Sequence, residues 1–198
     1  IRERPIEHAH KADEAHQKFV DARSDFLTIL KMWDWIETLK REESKSSFKK
    51  TLKKNFLNFR RTVEWSETRD QLARICKTLG LKANTDKASY RAIHLPMIIG
   101  NLSNLARLKD RTQYQGARNQ SLMIFPGSGL FKKKHAWIVS TEIIETSRVY
   151  ARDAASIRPS WVEQCSKHLQ KERFDDPHWS KKRGEVMGYQ TISLYGLV

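Results

Sequence analysis

Apolar residues recur every three or four positions through the first half of the chain, which is the period of an amphipathic helix. This pattern predicts five helices. Ser24 is expected to be the N-cap of the second helix, and Pro96 and Gly100 predict a kink in the fifth. The expected ranges are approximately 6–20, 25–41, 48–63, 65–79 and 90–108.

The pattern changes after Arg111, where short runs rich in branched and aromatic residues are typical of strands. A turn is expected at residues 126–129, and a short helix is expected to begin at Pro159. Five or so short antiparallel strands with one short helix predict a small closed β-barrel of OB type. The expected strands cover residues 121–125, 136–140, 142–146, 147–154 and 184–194.

These two patterns predict an α+β fold with two domains. Residues 1–111 are expected to form an N-terminal helical bundle. Residues 112–198 are expected to form the antiparallel OB-like β-barrel with a C-terminal extension. The chain begins with Ile1 and not with Met, and its first residues read like a cut linker, so we expect a fragment of a longer protein.

Composition favours a cytoplasmic protein. Hydrophobic residues make up 39% of the 198 residues, enough for real cores. No stretch approaches the roughly 20 apolar residues that span a membrane, and no secretory signal is visible. The chain has two cysteines, Cys76 and Cys165, and they lie far apart in the sequence. With so few cysteines we expect a reduced compartment.

The net charge of the chain indicates which class of molecule it binds. The chain has 37 Lys and Arg against 23 Asp and Glu, a formal charge of +14. Residues 1–111 contain 24 basic and 15 acidic residues, so the excess is not confined to one tail. Such an excess favours a polyanion, with nucleic acid as the leading candidate. An anionic membrane surface would need a clustered amphipathic patch.

The string D-E-A-H at residues 13–16 spells the box of a class of nucleic-acid-dependent ATPases. Such a box needs a buried strand before it and a phosphate loop containing G-K-[ST]. The preceding residues do not form a buried strand, and the chain contains no G-K-[ST]. The string therefore reads as part of an amphipathic helix, and this chain alone should not hydrolyse ATP.

An ordered set of short motifs nevertheless resembles the C-terminal region of DEAH-box RNA helicases, most closely the bacterial HrpA type. The helical half carries ADEAH at 12–16, SDFL at 24–27, NFLNFR at 55–60 and GNLSNL at 100–105. The second half carries YQGAR at 114–118, IFPGSGLF at 124–131, WIV at 137–139, EIIETSRVYAR at 142–152, IRPSW at 157–161, PHW at 177–179 and LYGL at 194–197.

This resemblance implies a helical "ratchet" domain followed by an OB domain, which close the RNA channel over a motor. It implies a monomeric parent with two RecA-like motor domains and a winged helix upstream. ATP and Mg²⁺ would belong to those motor domains, and this fragment itself would need no cofactor. The expected partners are single-stranded RNA and the helicase's own motor domains.

The residues predicted to bind RNA are basic or polar and lie in three kinds of segment. Residues 45–61 contain seven basic residues and no acidic residue. This composition indicates either a helix face that binds the phosphates of a nucleic acid or a solvated surface. The turn at 126–129 and the lysines after it can hold an anion, or form a soluble hairpin tip. The remaining residues lie in a turn expected at residues 118–120 and on the strand expected at residues 147–154. The set is Arg60, Arg118, Asn119, Ser128, Lys132, Lys133, Lys134, Arg148 and Arg152.

Ion pairing competes with this use of the arginines. Arg60 can pair with Asp25 or Glu64, and Arg148 or Arg152 can pair with Glu142 or Glu145. We expect no catalytic residue, because no serine, cysteine or histidine has the sequence context of a nucleophile, and no metal site, because the histidines lack ligand spacing.

The sequence therefore predicts an auxiliary region of an ATP-dependent RNA helicase that grips single-stranded RNA without reading bases. The alternative is a docking platform that brings a protein activator or the ribosome to the helicase. A stand-alone DNA-binding protein is a further alternative.

Overall fold

The computed structural model describes residues 1–197, so Val198, the last residue of the predicted second domain, lies outside the described residues. The chain forms two compact units. The first contains Ile1–Asp21 and Leu27–Ala88, and the second contains Ala22–Phe26 and the chain from Ser89 onward. The predicted boundary after residue 111 therefore falls inside the second unit.

The first unit is helical and contains α1 (Ala9–Gln17), most of α2 (Asp25–Glu42), α3 (Lys45–Lys54) and α4 (Phe59–Thr78). Its core is formed by apolar side chains of α2 and α3 and of the turns that follow α1 and α3. These are Phe19, Met32, Ile36, Phe48, Leu52 and Leu57.

The single helix predicted for residues 48–63 is wrong. The chain turns at Phe56, whose φ of 53° is not helical, and a new helix begins after Asn58. The Asn58 side-chain oxygen accepts the Arg61 backbone N–H at 3.0 Å, which caps α4. The seven bases of residues 45–61 are therefore divided between two helices and do not share one face.

The second unit is a closed five-stranded barrel with helices before and after it. Helix α5 is Tyr90–Gly100 and α6 is Pro159–Ser166. The strands pair in the order β1-β2-β3-β5-β4, and β1 closes the barrel on β4. Their bounds are β1 Leu105–Asp110, β2 Gln113–Gly116, β3 Ser121–Ile124, β4 Trp137–Glu145 and β5 Val149–Ile157.

The predicted α+β class, with helices first and an OB-like barrel after them, is confirmed. One pairing differs from the antiparallel expectation, because β3 and β5 run parallel. The predicted fifth helix ends at Gly100 and not at residue 108, because the segment from Leu105 pairs with β2 and β4 as a strand.

A separate two-stranded sheet follows the barrel, formed by β6 (Lys171–Ser180) and β7 (Glu185–Ser193). The sequence predicted only the second of these strands. Pairing shifts register between Asp175 and His178 of β6, so the alternation that marks a strand is interrupted there.

Two apolar clusters form the core of the second unit. One lies inside the barrel and includes Tyr114, Leu122, Ile138 and Ala154. The other joins α5 and α6 to the barrel and to Phe26. Across residues 1–197, no helix combines the length and the apolar character needed to cross a bilayer.

The carboxyl group of Asp25 links three segments of the second unit. It accepts the Ser128 hydroxyl at 2.6 Å and the backbone N–H groups of Gly129 and Ala154, each at 2.9 Å. Burial raises the pKa of Asp25, and the three hydrogen bonds partly oppose that rise. Asp25 thus fixes the loop after β3 and the middle of β5.

A second buried contact joins Ser24 to α5. The Ser24 hydroxyl lies 2.6 Å from His94 Nε2, and His94 Nδ1 lies 2.6 Å from the Tyr90 carbonyl oxygen. A carbonyl only accepts, so Nδ1 carries the ring proton and Ser24 donates to Nε2. Both side chains are fully buried, so this serine–histidine pair is structural.

We predict that Asp25→Ala lowers the free energy of unfolding by about 2–3 kcal/mol, because it leaves the N–H groups of Gly129 and Ala154 without their acceptor. Urea denaturation followed by circular dichroism measures this. Asp86→Ala, in the exposed loop of the first unit, is the control and should change stability by less than about 0.5 kcal/mol. Equal effects of the two substitutions would contradict the role of Asp25.

Candidate nucleic-acid interface

The outer face of the barrel is set by strand alternation along β3 and β5. Leu122, Ile124 and Ala151 point into the barrel core. Met123 is paired with Tyr150 in the parallel register, and both therefore point outward. The next residues outward are Phe125, just after β3, and Arg152 of β5.

Aromatic and basic side chains meet on this outer face. The rings of Phe125 and Tyr150 lie edge to face, with centroids 6.0 Å apart and an interplanar angle of 88°. The Arg152 guanidinium carbon lies 5.9 Å from the centre of the Phe125 ring. Phe125 remains 37% exposed, so its ring is available for stacking with a ligand.

Two arginines lie on this face, Arg152 beside the Phe125 ring and Arg148 beside Met123. Arg148 Nη1 lies 3.6 Å from the sulfur of Met123. Arg152 lies 3.6 Å from Glu142, its cross-strand partner, so the predicted pairing of Arg152 with Glu142 is present. Both side chains of that pair are about half exposed, and such a pair contributes little stability. Arg152 can therefore exchange this carboxylate for a phosphate at small cost.

The polar part of the same face continues across β2 to β1. Arg107 lies opposite Gln115, with the guanidinium 3.5 Å from the amide oxygen. The Gln115 amide donates to the Asn119 side-chain oxygen at 2.6 Å. Asn119 is thus joined to the face through Gln115.

Arg118 and Asn119 form the turn between β2 and β3 in a left-handed backbone conformation, with φ of 55° and 61°. The Arg118 N–H donates to the Tyr195 carbonyl at 2.8 Å, which fixes the turn on the C-terminal segment. Both side chains are exposed.

Lys132, Lys133 and Lys134 are exposed in the connection between β3 and β4. The Lys132 ammonium lies 5.9 Å from the Phe131 ring centre. These lysines belong to the second unit with Arg118, Asn119, Arg148 and Arg152. Arg60, in contrast, belongs to α4 of the first unit and forms an ion pair with Glu64 at 3.0 Å, one of the two pairings that the sequence left open.

Ser128 is placed differently from the prediction. Its hydroxyl proton is donated to Asp25, and its oxygen also accepts the Leu130 N–H at 3.1 Å. A hydroxyl has one proton, so Ser128 stabilises the loop and has no second proton for a phosphate.

Sequence reasoning missed Arg107, Gln115, Met123, Phe125 and Tyr150 as members of this face. Alternation along β3 and β5 was visible, but the parallel pairing that brings the two strands together was not. Their nearness depends on closure of the barrel, which a local pattern does not encode.

The tryptophans largely serve the cores. Trp33 and Trp65 pack edge to face at 4.8 Å, and Trp137 and Trp161 pack against the core that contains α5 and α6. Trp179 is exposed on the β6–β7 sheet. In the part of the chain that the structure describes, no three His, Cys, Asp or Glu side chains cluster as metal ligands would.

Comparison with known proteins agrees with this geometry. Residues 93–169 match the family described as oligonucleotide/oligosaccharide-binding (OB)-fold. Two helicases match almost the whole chain, each 39% identical over 197 residues: ATP-dependent RNA helicase HrpA of Escherichia coli and its homologue in Haemophilus influenzae. Almost the whole chain is thus similar to a part of these HrpA helicases, and this chain includes the OB-fold match.

The matched region covers 99% of this chain but only 15% of each of these two HrpA relatives. Among solved structures, the crystal structure of the E. coli DExH-box NTPase HrpB aligns with a TM-score of 0.44 and 16% identity. That alignment covers 63% of this chain and 15% of HrpB.

We predict that Ser128→Ala lowers the free energy of unfolding by about 1 kcal/mol, since it removes a hydrogen bond to Asp25, and leaves RNA affinity unchanged. Urea denaturation and filter binding to oligouridine measure the two effects. A matched substitution in the same connection, Lys133→Ala, should weaken RNA binding and leave the free energy of unfolding unchanged. Loss of RNA affinity at unchanged stability in Ser128→Ala would restore Ser128 as an RNA contact.

Proposed function

We propose that the outer face of the barrel grips single-stranded RNA within an HrpA-like ATP-dependent RNA helicase, without reading base identity. The observation that supports this is the meeting of Phe125, Tyr150 and Arg152 on one face, where Arg148 also contacts the outward-facing Met123. Arg107, Arg118, Asn119 and the lysines at 132–134 extend the basic surface within the second unit.

The chemistry of this face suits a strand that must slide. Guanidinium and ammonium groups bind phosphate, which is the same in every nucleotide. Aromatic rings stack on any base, because each base has a π-face. A contact built from these two interactions holds the strand at any sequence, which a translocating motor requires.

We propose that this chain itself binds neither ATP nor Mg²⁺. It contains no phosphate loop, and no group of potential metal ligands clusters within residues 1–197. We therefore place ATP hydrolysis in motor domains of the parent protein and propose that this fragment alone is inactive. We also propose that the parent protein is monomeric and cytoplasmic and acts on RNA.

Docking on the parent's motor domains is a second candidate function, and it is supported by α4. Leu72, Ile75 and Leu79 lie on one face of α4 and are each more than half exposed. Ile75 and Leu79, with Gln71, Arg74 and Thr78, line a shallow groove of about 450 Å³. An apolar stripe on an otherwise charged helix is typical of an interaction surface.

We predict that Phe125→Ala weakens binding of the chain to oligouridine by about 1–3 kcal/mol, the usual contribution of one base–aromatic stack. Arg148→Gln with Arg152→Gln should also make the plot of log affinity against log salt shallower, by about 0.7 for each lost phosphate contact. Filter binding at stepped salt concentrations measures both. Lys82→Gln, in the exposed loop of the first unit, is the control for lost charge. Unchanged affinity and slope in all of the face variants would overturn the proposed function.

For the docking surface, we predict that Leu72→Glu with Ile75→Glu abolishes RNA unwinding by the full-length parent, because charge on the stripe opposes burial against the motor. RNA affinity of the 198-residue chain should stay within twofold of the original. Lys77→Gln on the same helix is the matched control. Normal unwinding by the double variant would rule out this docking surface.

A further inference from the structure

A basic cleft of about 460 Å³ lies in the second unit, where segment 22–26, the start of α5 and the end of β5 meet α6. Three arginines line it: Arg23, Arg91 and Arg158. Each comes from a different segment, and their side chains are exposed to solvent.

The described residues that line this cleft include no aspartate or glutamate. Three guanidinium groups around one depression concentrate positive potential there, because the low-dielectric walls focus the field. Arginine is also the side chain best shaped to bind a phosphate through two parallel hydrogen bonds. The charge of the cleft therefore favours a phosphate-bearing ligand over a neutral one.

Backbone hydrogen bonds fix the wall that carries Arg23. The Arg23 carbonyl accepts the Ser156 N–H at 2.8 Å and lies 2.9 Å from the Tyr90 hydroxyl. That hydroxyl is also 2.8 Å from the Ser156 carbonyl. The segment that carries Arg23 is thus held against β5 and α5.

Tyr90 has a positioning role in the cleft. Its ring stacks on His94 at 3.9 Å and lies 4.8 Å from the Arg23 guanidinium carbon. A ring held between these two groups orients Arg23 and is poorly placed to stack on a base. Tyr90 therefore serves to position Arg23 for a phosphate and not to stack on a base.

Arg91 and Arg158 are held at helix starts. Arg91 lies in the first turn of α5 and donates to the Gln164 side-chain oxygen of α6 at 2.6 Å. This partner is a neutral amide, so it orients the guanidinium without cancelling its charge. Arg158 is the N-cap residue of α6, and its guanidinium carbon lies 5.8 Å from the Trp161 ring centre. The partial positive charge of the two helix starts adds to that of the arginines.

We propose that this cleft is a second RNA subsite, which holds one backbone phosphate of a strand bound to the same unit. The inference rests on the proposed function for the identity of the ligand, and on the three arginines for its chemistry. It extends the grip beyond the outer face of the barrel.

Inorganic pyrophosphate is the probe for the cleft, and a 12-nucleotide oligouridine is the probe for the strand. Calorimetric titration of the 198-residue chain with pyrophosphate should show binding. Arg91→Gln with Arg158→Gln should weaken pyrophosphate binding at least tenfold and RNA binding at least threefold. Arg91→Lys with Arg158→Lys keeps the charge and should recover part of both affinities, and circular dichroism checks that each variant is folded.

Arg148→Gln with Arg152→Gln separates the two proposals, because it should weaken RNA binding and leave pyrophosphate affinity within twofold. Equal pyrophosphate affinity in the original chain and the Arg91, Arg158 variant overturns the cleft, while the barrel face is judged on the RNA result alone. Pyrophosphate binding that depends on the arginines, with RNA affinity unchanged by their loss, limits the cleft to free phosphate and overturns the RNA subsite. If Arg91→Gln unfolds the chain, Arg158→Gln alone gives the same comparison.

Discussion

Order in the second unit depends on the carboxyl group of Asp25. Its two oxygens accept three hydrogen bonds from the loop at Ser128 and Gly129 and from Ala154 of β5. The neighbouring Asp153 has a φ of 48°, so β5 changes its alternation there. Ala151 and Ala154 on either side of it fill the barrel, whereas Ala155 and Ile157 belong to the core that contains residues of α5 and α6. One buried side chain thus holds the bend by which a single strand serves two cores.

The same bend in β5 also sets the positions of the basic barrel face and of the arginine cleft. Before it, Tyr150 and Arg152 face outward beside Phe125, because β3 and β5 run parallel and in register. After it, Ser156 anchors the segment that carries Arg23. The basic barrel face and the arginine cleft therefore occupy opposite ends of β5. A strand of RNA held at both would contact one rigid element twice.

Charge alone does not distinguish these surfaces. Many of the basic residues are solvated or paired, as Arg60 is with Glu64 and Arg4 is with Asp13. The two candidate surfaces are distinguished by the groups that surround their arginines. At the barrel face Arg152 borders the Phe125 ring, and in the cleft three arginines come from separate segments, with Arg91 bound to a neutral amide.

The hydrophobic pattern by itself determined the order of helices before strands and the OB-like class, because these follow from local periodicity, and the capping residue Ser24 predicted the start of α2 at Asp25. The strand predicted at residues 147–154 contained both Arg148 and Arg152, but β5 begins at Val149, so only Arg152 lies on it. Only the tertiary structure decided that residues 105–110 form a strand, that Ser128 serves Asp25, and that Phe125 meets Tyr150. These depend on contacts between segments about 25 to 100 residues apart, which neither propensity nor alternation within one segment can specify.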